Sequence, residues 1–405
     1  MNILLVSYWG ETAPCGVRVH YMALAQELRE LGHCVTIVTP NTLGGLRRRM
    51  LGGLQRLLAL PGPGAEHVAR ELWYYAMIYA AVPREVHFDL VNAHDVGSGA
   101  AVHRALGGRV PVVVTGHASE HPAEEIIRRN ELQGAAARFI RRWYAWLLPH
   151  TQYFIGVSDN LLSTFRAFLP SALLTRRIYG GSSFAQPPTT EAPAEVLFPD
   201  RHLVINVGYL DTNKNQRYLI EVARELRPLR PDFMVGLVGK GAEEDALRAQ
   251  IAEYGLENHV VLLGYHSSVV PLLRQASLYV HAAHRESLGL ALVEAIMAGT
   301  PVLAPATGGI PEVLGATPEA LFAPGLPPAQ LAQQVHQLLA DCPARTALHA
   351  RQHAYATEHF SLRRIAQHTL QFYHDTLHHF RSAAPTHQAA PAVLSSTTPV
   401  ASSLS

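Results

Sequence analysis

Short apolar runs alternate with longer amphipathic segments along most of the chain, a pattern that predicts buried parallel strands connected by helices. In the first half, the strands are predicted at residues 3–7, 35–39, 90–93, 112–115 and 154–157. In the second half, they are predicted at residues 203–207, 233–238, 260–263, 278–280 and 302–304. The predicted fold class is therefore α/β, with two doubly wound, Rossmann-like domains.

A segment rich in Gly, Ser and Pro, residues 179–199, separates the two sets of strands and reads as a linker. We predict an N-terminal domain over 1–180 and a C-terminal domain over 181–360. An amphipathic helix at 361–381 is expected to complete the first domain, and the tail 382–405 is expected to be disordered. Two such domains should face each other across a cleft that holds the active site, since ligands bind beyond the carboxyl ends of parallel strands.

Composition and charge exclude several classes of protein. The chain has 405 residues and a formal net charge of +1, whereas a duplex-binding protein normally carries a clear basic excess. Its 3 cysteines are too few for a disulfide framework or a zinc cluster. The start of the chain lacks the pattern of a signal peptide, and no run is apolar enough to span a membrane. We therefore expect a cytoplasmic protein with, at most, peripheral membrane contact.

The segment from 284 to 314, HRESLGLALVEAIMAGTPVLAPATGGIPEVL, is the most informative part of the chain. It places Glu286 in a loop and Glu294 inside a helix predicted from about 290 to 298. The free amide groups at the start of that helix can bind a diphosphate. Glu294 could accept hydrogen bonds from a ribose diol, and Glu286 could bind a sugar hydroxyl. Two isolated glutamates would more often be an ordinary surface pair.

This segment resembles the Glu-x7-Glu motif of the family 4 glycosyltransferases, in its usual setting before AGTPV and GGIPE. The resemblance implies the GT-B fold and a retaining transfer of sugar from a nucleotide-diphosphate donor. It assigns the donor sugar to Glu286 and the ribose to Glu294. The intervening backbone would hold the sugar and phosphate through Ser287, Leu288, Gly289 and Leu290.

The segment from 206 to 227 resembles the family's Gly-Arg…Lys-Gly loop, whose two cations contact the pyrophosphate. Gly208 ends a predicted strand, and Lys214 lies close to the start of the next helix. Tyr209 stands where the arginine is usual, and Asn215 stands where a glycine is usual. Arg217 could compensate for the missing charge, although an arginine at such a position is more often a solvated surface residue.

Two glycine turns are further candidates for the donor site. Gly239 follows a strand, in a loop that lies beside the nucleotide in the resembling family, and Tyr265 and His266 occupy the region that packs against the base. In the N-terminal half, Gly16 resembles the second residue of the family's Gly-Gly loop, with Cys15 replacing the first. We expect Gly16 to let backbone amides approach the phosphate, a role that needs a residue without a Cβ atom. A structural turn and ordinary loop residues are the alternatives.

His117 follows the strand VPVVVT and resembles the histidine that faces the donor sugar from the N-terminal domain. The other histidines include a group at helical spacing, His374, His378 and His379, which could bind a metal incidentally. No Asp-x-Asp motif ends a strand, so we infer no required metal or other cofactor. Lys214 and the helix amides would take the place of a divalent cation.

Two basic, apolar segments could lie on a membrane surface or face the acceptor. They are residues 44–62 and 137–150, of which the second is better explained as a helix inside the domain.

The predicted function is thus a retaining glycosyltransferase that uses a UDP- or GDP-type sugar donor. Its acceptor hydroxyl would belong to a glycan, a lipid-linked molecule or a small molecule, with polysaccharide biosynthesis as one setting. Catalytic contributions are assigned to Glu286, His117 and Lys214. The alternatives are a non-catalytic protein that binds sugar nucleotides, and a GT-B nucleotide-sugar epimerase or hydrolase.

Overall fold

The computed structural model describes residues 1–10, 13, 15–45, 49–53, 55, 64–170, 174–181 and 197–383. Most of the predicted linker, nearly all of the predicted tail and much of the basic segment 44–62 lie outside them.

The N-terminal sheet has six parallel strands, in the order β2-β1-β3-β4-β5-β6. Its strands are β1 Asn2–Val6, β2 Cys34–Val38, β3 Leu90–Ala93, β4 Val112–Gly116, β5 Tyr153–Gly156 and β6 Leu174–Arg177. The connecting helices are α1 Gly16–Glu30, α2 Ala65–Ala81, α3 Val96–Ala105, α4 Pro122–Arg129, α5 Gly134–Leu147 and α6 Asp159–Arg166. Short 3-10 helices occur at Pro40–Thr42 and Leu148–His150.

The C-terminal sheet is also parallel and six-stranded, in the order β12-β11-β10-β7-β8-β9. Its strands are β7 His202–Val207, β8 Phe233–Val238, β9 Val260–Gly264, β10 Leu278–Val280, β11 Val302–Pro305 and β12 Leu321–Phe322. The helices are α7 Gln216–Leu226, α8 Glu244–Glu253, α9 Val270–Leu273, α10 Leu290–Ala298, α11 Ile310–Val313, α12 Pro328–Ala340, α13 Cys342–His359 and α14 Leu362–Ala383, with a 3-10 helix at Pro318–Ala320.

The central strands are buried along their whole length, as parallel strands covered by helices on both faces must be. This burial explains why continuous apolar runs located them: all ten predicted strands are present, each within one residue of its predicted ends. Strands β6 and β12 were not predicted. The first contains Arg176 and Arg177, and the second is only Leu321–Phe322, so neither has a readable apolar run. The prediction of two doubly wound sheets is confirmed.

The last helix, α14, crosses back from the second domain and packs on the first. Ile365 and Phe372 belong to the same buried cluster as Ile3 and Leu24. Tyr373 is fully buried in this cluster, where its hydroxyl accepts a hydrogen bond of 2.6 Å from the Asn92 amide. Each buried large side chain contributes about 1.5–3 kcal/mol, so α14 ties the far end of the chain to the N-terminal sheet.

Candidate active site

A cavity of about 390 Å³ lies between the two domains and is lined by residues of both. We call it the interdomain cavity. It is bordered by loops that follow β1, β4, β7, β8 and β9, and by the start of α10. All predicted site residues except Arg217 line it: Gly16, His117, Gly208, Lys214, Gly239, Glu286, Ser287, Leu288, Gly289, Leu290 and Glu294. The structure thus brings together residues that are up to 278 positions apart in the sequence (from 16 to 294).

The start of α10 opens onto this cavity. Its N-cap, Gly289, is in the left-handed region with φ of 95° and makes no side-chain cap. The first backbone N–H groups of a helix lack partners inside the helix, so they are available to an anion. Glu294 lies farther along the same helix, with 9% of its surface exposed, and also lines the cavity.

The GGIPE segment supports the loop that carries Glu286. Gly308 has φ of 54°, and a Cβ atom there would lie 1.9 Å from the carbonyl oxygen of Glu286. The same oxygen accepts a 3.0 Å hydrogen bond from the Gly309 amide. Only glycine at 308 allows this close approach of two backbone segments, and the approach positions the Glu286 loop at the cavity wall.

Glu286 is paired with Lys214 through a direct contact between Oε2 and Nζ. Burial would raise the pKa of Glu286, but the Lys214 ammonium and nearby His281 together lower it from 4.5 to about 2. His281 Nε2 lies 3.3 Å from the same oxygen. Because Glu286 neutralises Lys214, an incoming diphosphate would compete with this carboxylate for the lysine and leave Glu286 available to a sugar hydroxyl.

His281 is a member of this cluster that the sequence analysis missed. It is 1% exposed, and burial lowers its pKa. Its Nδ1 lies 3.1 Å from the Tyr279 hydroxyl, which donates a 3.2 Å hydrogen bond to the Val207 carbonyl. The only sign of this role in the sequence is that a polar residue directly follows the apolar strand LYV. A single histidine at the end of a strand is too common to indicate a binding site.

The loop around Lys214 keeps a glycine-like backbone without a glycine. Asn215 adopts the left-handed region, with φ of 56°, and is the N-cap of α7. Asparagine is among the few residues that tolerate this conformation. The Lys214 amide donates a 2.9 Å hydrogen bond to Asp211 Oδ1. The replacement of the family's glycine by Asn215 therefore preserves the geometry that directs Lys214 into the cavity.

Arg217 differs from the expectation that it compensates for the missing arginine. Its Nε donates a 2.7 Å hydrogen bond to Glu243 Oε2, and it is not among the described residues that line the cavity. Tyr209 does line the cavity, and the Arg129 guanidinium lies 5.9 Å from the centre of its ring. Arg217 lies in the first turn of α7, and its side chain extends toward Glu243 at the start of α8 and away from Lys214.

Two other cations line the cavity and were not predicted. Lys240 Nζ lies 5.0 Å above the ring of Tyr265, a cation–π geometry. Arg18 approaches from the first turn of α1. His266 lines the same region as Tyr265. Because each cation comes from a different loop or helix, only the fold could identify them as neighbours of Lys214.

The two predicted glycine turns differ in whether the surrounding protein leaves room for a Cβ atom. At Gly239, φ is 146° and a Cβ atom would lie 1.8 Å from the Gly208 carbonyl oxygen, so the protein itself requires glycine. At Gly16, a Cβ atom would make an ordinary contact of 3.5 Å with Leu290 Cδ1. No packing contact within the described part of the chain therefore requires a residue without Cβ at Gly16, and the approach of a phosphate stays a prediction.

His117 is part of the cavity wall on the side of the N-terminal domain. His20 and His94 lie behind it and do not line the cavity. His117 Nε2 lies 3.2 Å from His94 Nδ1. Burial lowers the pKa of both imidazoles well below 6.5, so both are neutral at physiological pH. A neutral imidazole at this wall can exchange hydrogen bonds with a sugar hydroxyl without introducing charge.

Direct hydrogen bonds hold the domains together beside the cavity. Ser158, at the N-terminus of α6, donates a 2.6 Å hydrogen bond to the Ser287 carbonyl. The Glu312 carboxylate accepts from the amides of Asp159 and Asn160, at 2.8 and 2.9 Å. A glutamate of the C-terminal domain thus caps a helix of the N-terminal domain, which joins the GGIPE segment directly to that domain.

The second basic, apolar segment, residues 137–150, lies in α5 and the 3-10 helix that follows it, as expected for a helix inside the domain. Its buried face includes Ile140, Tyr144 and Leu147, while Phe139 and Trp146 remain 36% and 38% exposed. Within the described part of the chain, we find no helix that is both long and apolar enough to cross a lipid bilayer.

Comparison with known families matches both halves of the chain. Residues 14–181 match the model of "Glycosyltransferase Family 4", and residues 189–357 match that of "Glycosyl transferases group 1". A 2-deoxystreptamine glucosyltransferase from Streptomyces kanamyceticus is 31% identical over 368 residues, which cover 84% of this chain and 90% of the relative. A glycogen synthase from Mycobacterium tuberculosis is 27% identical over 410 residues, covering 92% of this chain and 94% of the relative.

Solved structures support the same fold. Sucrose-phosphate synthase from Thermosynechococcus elongatus superposes with a TM-score of 0.69 at 20% identity, covering 94% of this chain and 100% of that one. Anabaena HepE in complex with UDP-glucose gives a TM-score of 0.69 at 19% identity, covering 93% of this chain and 100% of that one. With two facing six-stranded sheets and full-length relatives, the chain belongs to the group 1, family 4 glycosyltransferases and has the GT-B fold.

Proposed function

We propose that this glycosyltransferase moves a sugar, with retention of configuration, from a UDP-type donor to a hydroxyl of a carbohydrate or small-molecule acceptor. The observation that carries the proposal is the convergence of Lys214, Glu286, Glu294 and the start of α10 on one interdomain cavity. The UDP and UDP-glucose named in the complexes of HepE support a UDP-type donor over a GDP-type one.

The diphosphate is proposed to bind between the amides at the start of α10 and the Lys214 ammonium. Both stabilise the negative charge that develops on the leaving group, and neither must reorganise much during the reaction. The transfer then has no requirement for a divalent cation. Lys240 and Arg18 line the same cavity and are proposed to supply the positive charge that Arg217, bonded to Glu243, does not bring there.

The sugar and nucleoside are proposed to occupy opposite ends of the cavity. Glu294 binds the ribose diol, and Tyr265 and His266 lie beside the base. Glu286 and His117 bind the donor sugar from the two domains. When diphosphate draws Lys214 away from Glu286, that carboxylate gains the freedom to accept a sugar hydrogen bond.

Retention follows, in this proposal, from attack of the acceptor hydroxyl on the same face that the nucleotide leaves. Domain closure would exclude water and position the acceptor, so that most of the rate enhancement is electrostatic and positional. The departing phosphate itself can take the acceptor proton. Among the relatives, a glycogen synthase and a 2-deoxystreptamine glucosyltransferase indicate the range of acceptors to test.

The acceptor alternatives therefore remain a glycan, a lipid-linked molecule and a small polyol or aminocyclitol, with polysaccharide biosynthesis as one setting. The cytoplasmic location and peripheral membrane contact stay predictions of the sequence. The second candidate function is a non-catalytic sugar-nucleotide binder. It is favoured by one observation: Tyr209, which lines the cavity, stands where the resembling family has an arginine.

A release assay distinguishes these functions. The full chain is incubated with a panel of UDP- and GDP-sugars, with and without glucan, aminocyclitol and lipid-linked acceptors, and free nucleotide is measured. Acceptor-dependent release of UDP, with a product anomer that matches the donor in NMR spectra, supports the proposal. Binding by calorimetry without release under any acceptor supports the non-catalytic function, and release independent of acceptor supports a hydrolase.

A further inference from the structure

Three histidines from separate segments meet behind the sugar end of the interdomain cavity. His20 lies in α1, His94 directly follows β3 and His117 directly follows β4. Their ring centroids form a nearly equilateral triangle, with separations of 5.4, 5.5 and 5.5 Å. Strands β1, β3 and β4 are neighbours in the sheet, so the segments that follow them converge at one edge.

We propose that His20, His94 and His117 form a binding site for a transition-metal dication of the Zn²⁺ class. Each offers one ring nitrogen, and these nitrogens all lie within 4.8 Å of one another. Tetrahedral zinc with bonds of ~2.0–2.1 Å places its ligand nitrogens about 3.3 Å apart. His94 Nδ1 and His117 Nε2 are already 3.2 Å apart, so small movements of the rings complete the site.

His20 has the outer partner that zinc-bound histidines usually have. Its Nδ1 lies 3.3 Å from the Gly181 carbonyl oxygen and 3.0 Å from the Gly181 amide. In the metal-free protein the Gly181 amide donates to Nδ1; a change to the tautomer with Nδ1 protonated lets His20 donate to the Gly181 carbonyl and leaves Nε2 free to coordinate. Burial also lowers the pKa of His20 to about 4, which keeps the imidazole in its neutral, metal-binding form.

The ion would bind at the cavity wall, because His117 is the one member of the trio that lines the interdomain cavity. Three protein ligands leave a fourth position for water or another oxygen ligand. On the proposed function, coordination withdraws His117 from the donor sugar, so the ion inhibits transfer and is not needed for it. Metal binding itself does not depend on that function.

The test uses the untagged, chelator-treated full chain and a Co²⁺ titration followed by visible absorption, with Zn²⁺ competition to give the affinity. We expect one tetrahedral Co²⁺ per chain and displacement by Zn²⁺. His94→Ala should weaken binding by ~10-fold or more. The matched control replaces His374, His378 and His379, in α14, by alanine and should leave the affinity unchanged.

Zinc-edge X-ray absorption of the wild-type complex gives a second, mutation-independent readout, with three imidazole ligands expected. The absence of stoichiometric binding, an affinity lost in the α14 control but not in His94→Ala, or a zinc shell with fewer than three imidazoles would each overturn the proposal. UDP binding by the metal-free chain is measured in parallel, so that failure of the metal site and failure of the proposed function are distinguishable.

Discussion

At the scale of single residues, the charge on Glu286 depends on two neighbours from elsewhere in the domain. Lys214 comes from the loop after β7, and His281 directly follows β10. Without them, burial would favour the protonated carboxyl. The ionised pair of Lys214 and Glu286 is thus stabilised in the folded protein.

The low pKa of Glu286 predicts how stability depends on pH. The pKa falls from 4.5 to about 2 on folding, so the stabilisation is complete above 4.5 and is lost as the pH falls toward 2. The loss is about 3 kcal/mol at most, from about 1.4 kcal/mol per pKa unit. Urea unfolding of wild type and Glu286→Gln between pH 6 and pH ~2.5 should show this extra loss only in wild type. Parallel curves would contradict the assignment.

Buried carboxyls elsewhere set the background for that measurement. Burial raises the pKa of Glu71 to about 7 and that of Asp95 to about 6, so their contributions are lost as the pH rises. They are unchanged in the Glu286→Gln variant, and the difference between the two proteins cancels them.

Substitution of the two glutamates of the Glu-x7-Glu motif should have different effects on binding and on turnover. Glu294→Ala removes the proposed ribose contact and should weaken UDP binding ~10-fold or more, since hydrogen bonds to a charged group contribute about 1.5–3 kcal/mol. Glu286→Ala should mainly lower kcat. Calorimetry with UDP and steady-state kinetics measure the two effects. Glu319→Ala, at a residue outside the cavity, is the control, and equal, negligible effects from both substitutions would refute the assignment.

At the scale of elements, the site depends on how two helices begin. The N-caps of α7 and α10 are both left-handed, Asn215 and Gly289, and neither makes a side-chain cap. A left-handed residue turns the chain sharply from loop to helix, so the first amides of α10 meet the cavity. At α7, the same turn positions Lys214 beside Glu286.

Asn215 gives a direct test of this turn. Asn215→Gly keeps access to φ of 56° and should change the free energy of unfolding and the UDP affinity only slightly. Asn215→Val forces a β-branched residue into the left-handed region and should cost roughly 1–3 kcal/mol. Thermal unfolding and UDP calorimetry measure both variants. If valine were as well tolerated as glycine, Lys214 would not depend on this backbone conformation.

At the scale of the whole molecule, the domains are joined by side-chain hydrogen bonds beside the cavity and by α14 behind it. Glu312 and Ser158 link the GGIPE segment and the loop after Glu286 to the start of α6. The segment that supports the Glu286 loop is therefore also bonded directly to the other domain.

Removing the Glu312 cap should loosen domain closure without unfolding either domain. Loss of a helix cap costs about 0.5–2 kcal/mol, so kcat/KM for Glu312→Ala should fall by roughly 2- to 30-fold. Small-angle scattering with UDP should show a larger radius of gyration than wild type. Glu319→Ala again serves as the control. Unchanged kinetics and scattering would assign Glu312 a purely local role.

The sequence by itself determined ten of the twelve described strands, the two-sheet plan and the helix from 290 to 298, because burial on both faces and helix-stop residues leave local patterns. It also predicted that Glu286, Glu294 and Lys214 meet at one cavity, and all three line the interdomain cavity. Arg217, also a candidate, donates a hydrogen bond to Glu243 and is not among the described residues that line this cavity.

Only the tertiary structure decided which cations face the cavity, that His281 joins Glu286, and that His20, His94 and His117 meet. The physical reason is that parallel strands bring the ends of distant segments to one edge of a sheet, and two sheets bring those edges together. Such proximity arises from strand order and domain contact, which no local pattern of residues encodes.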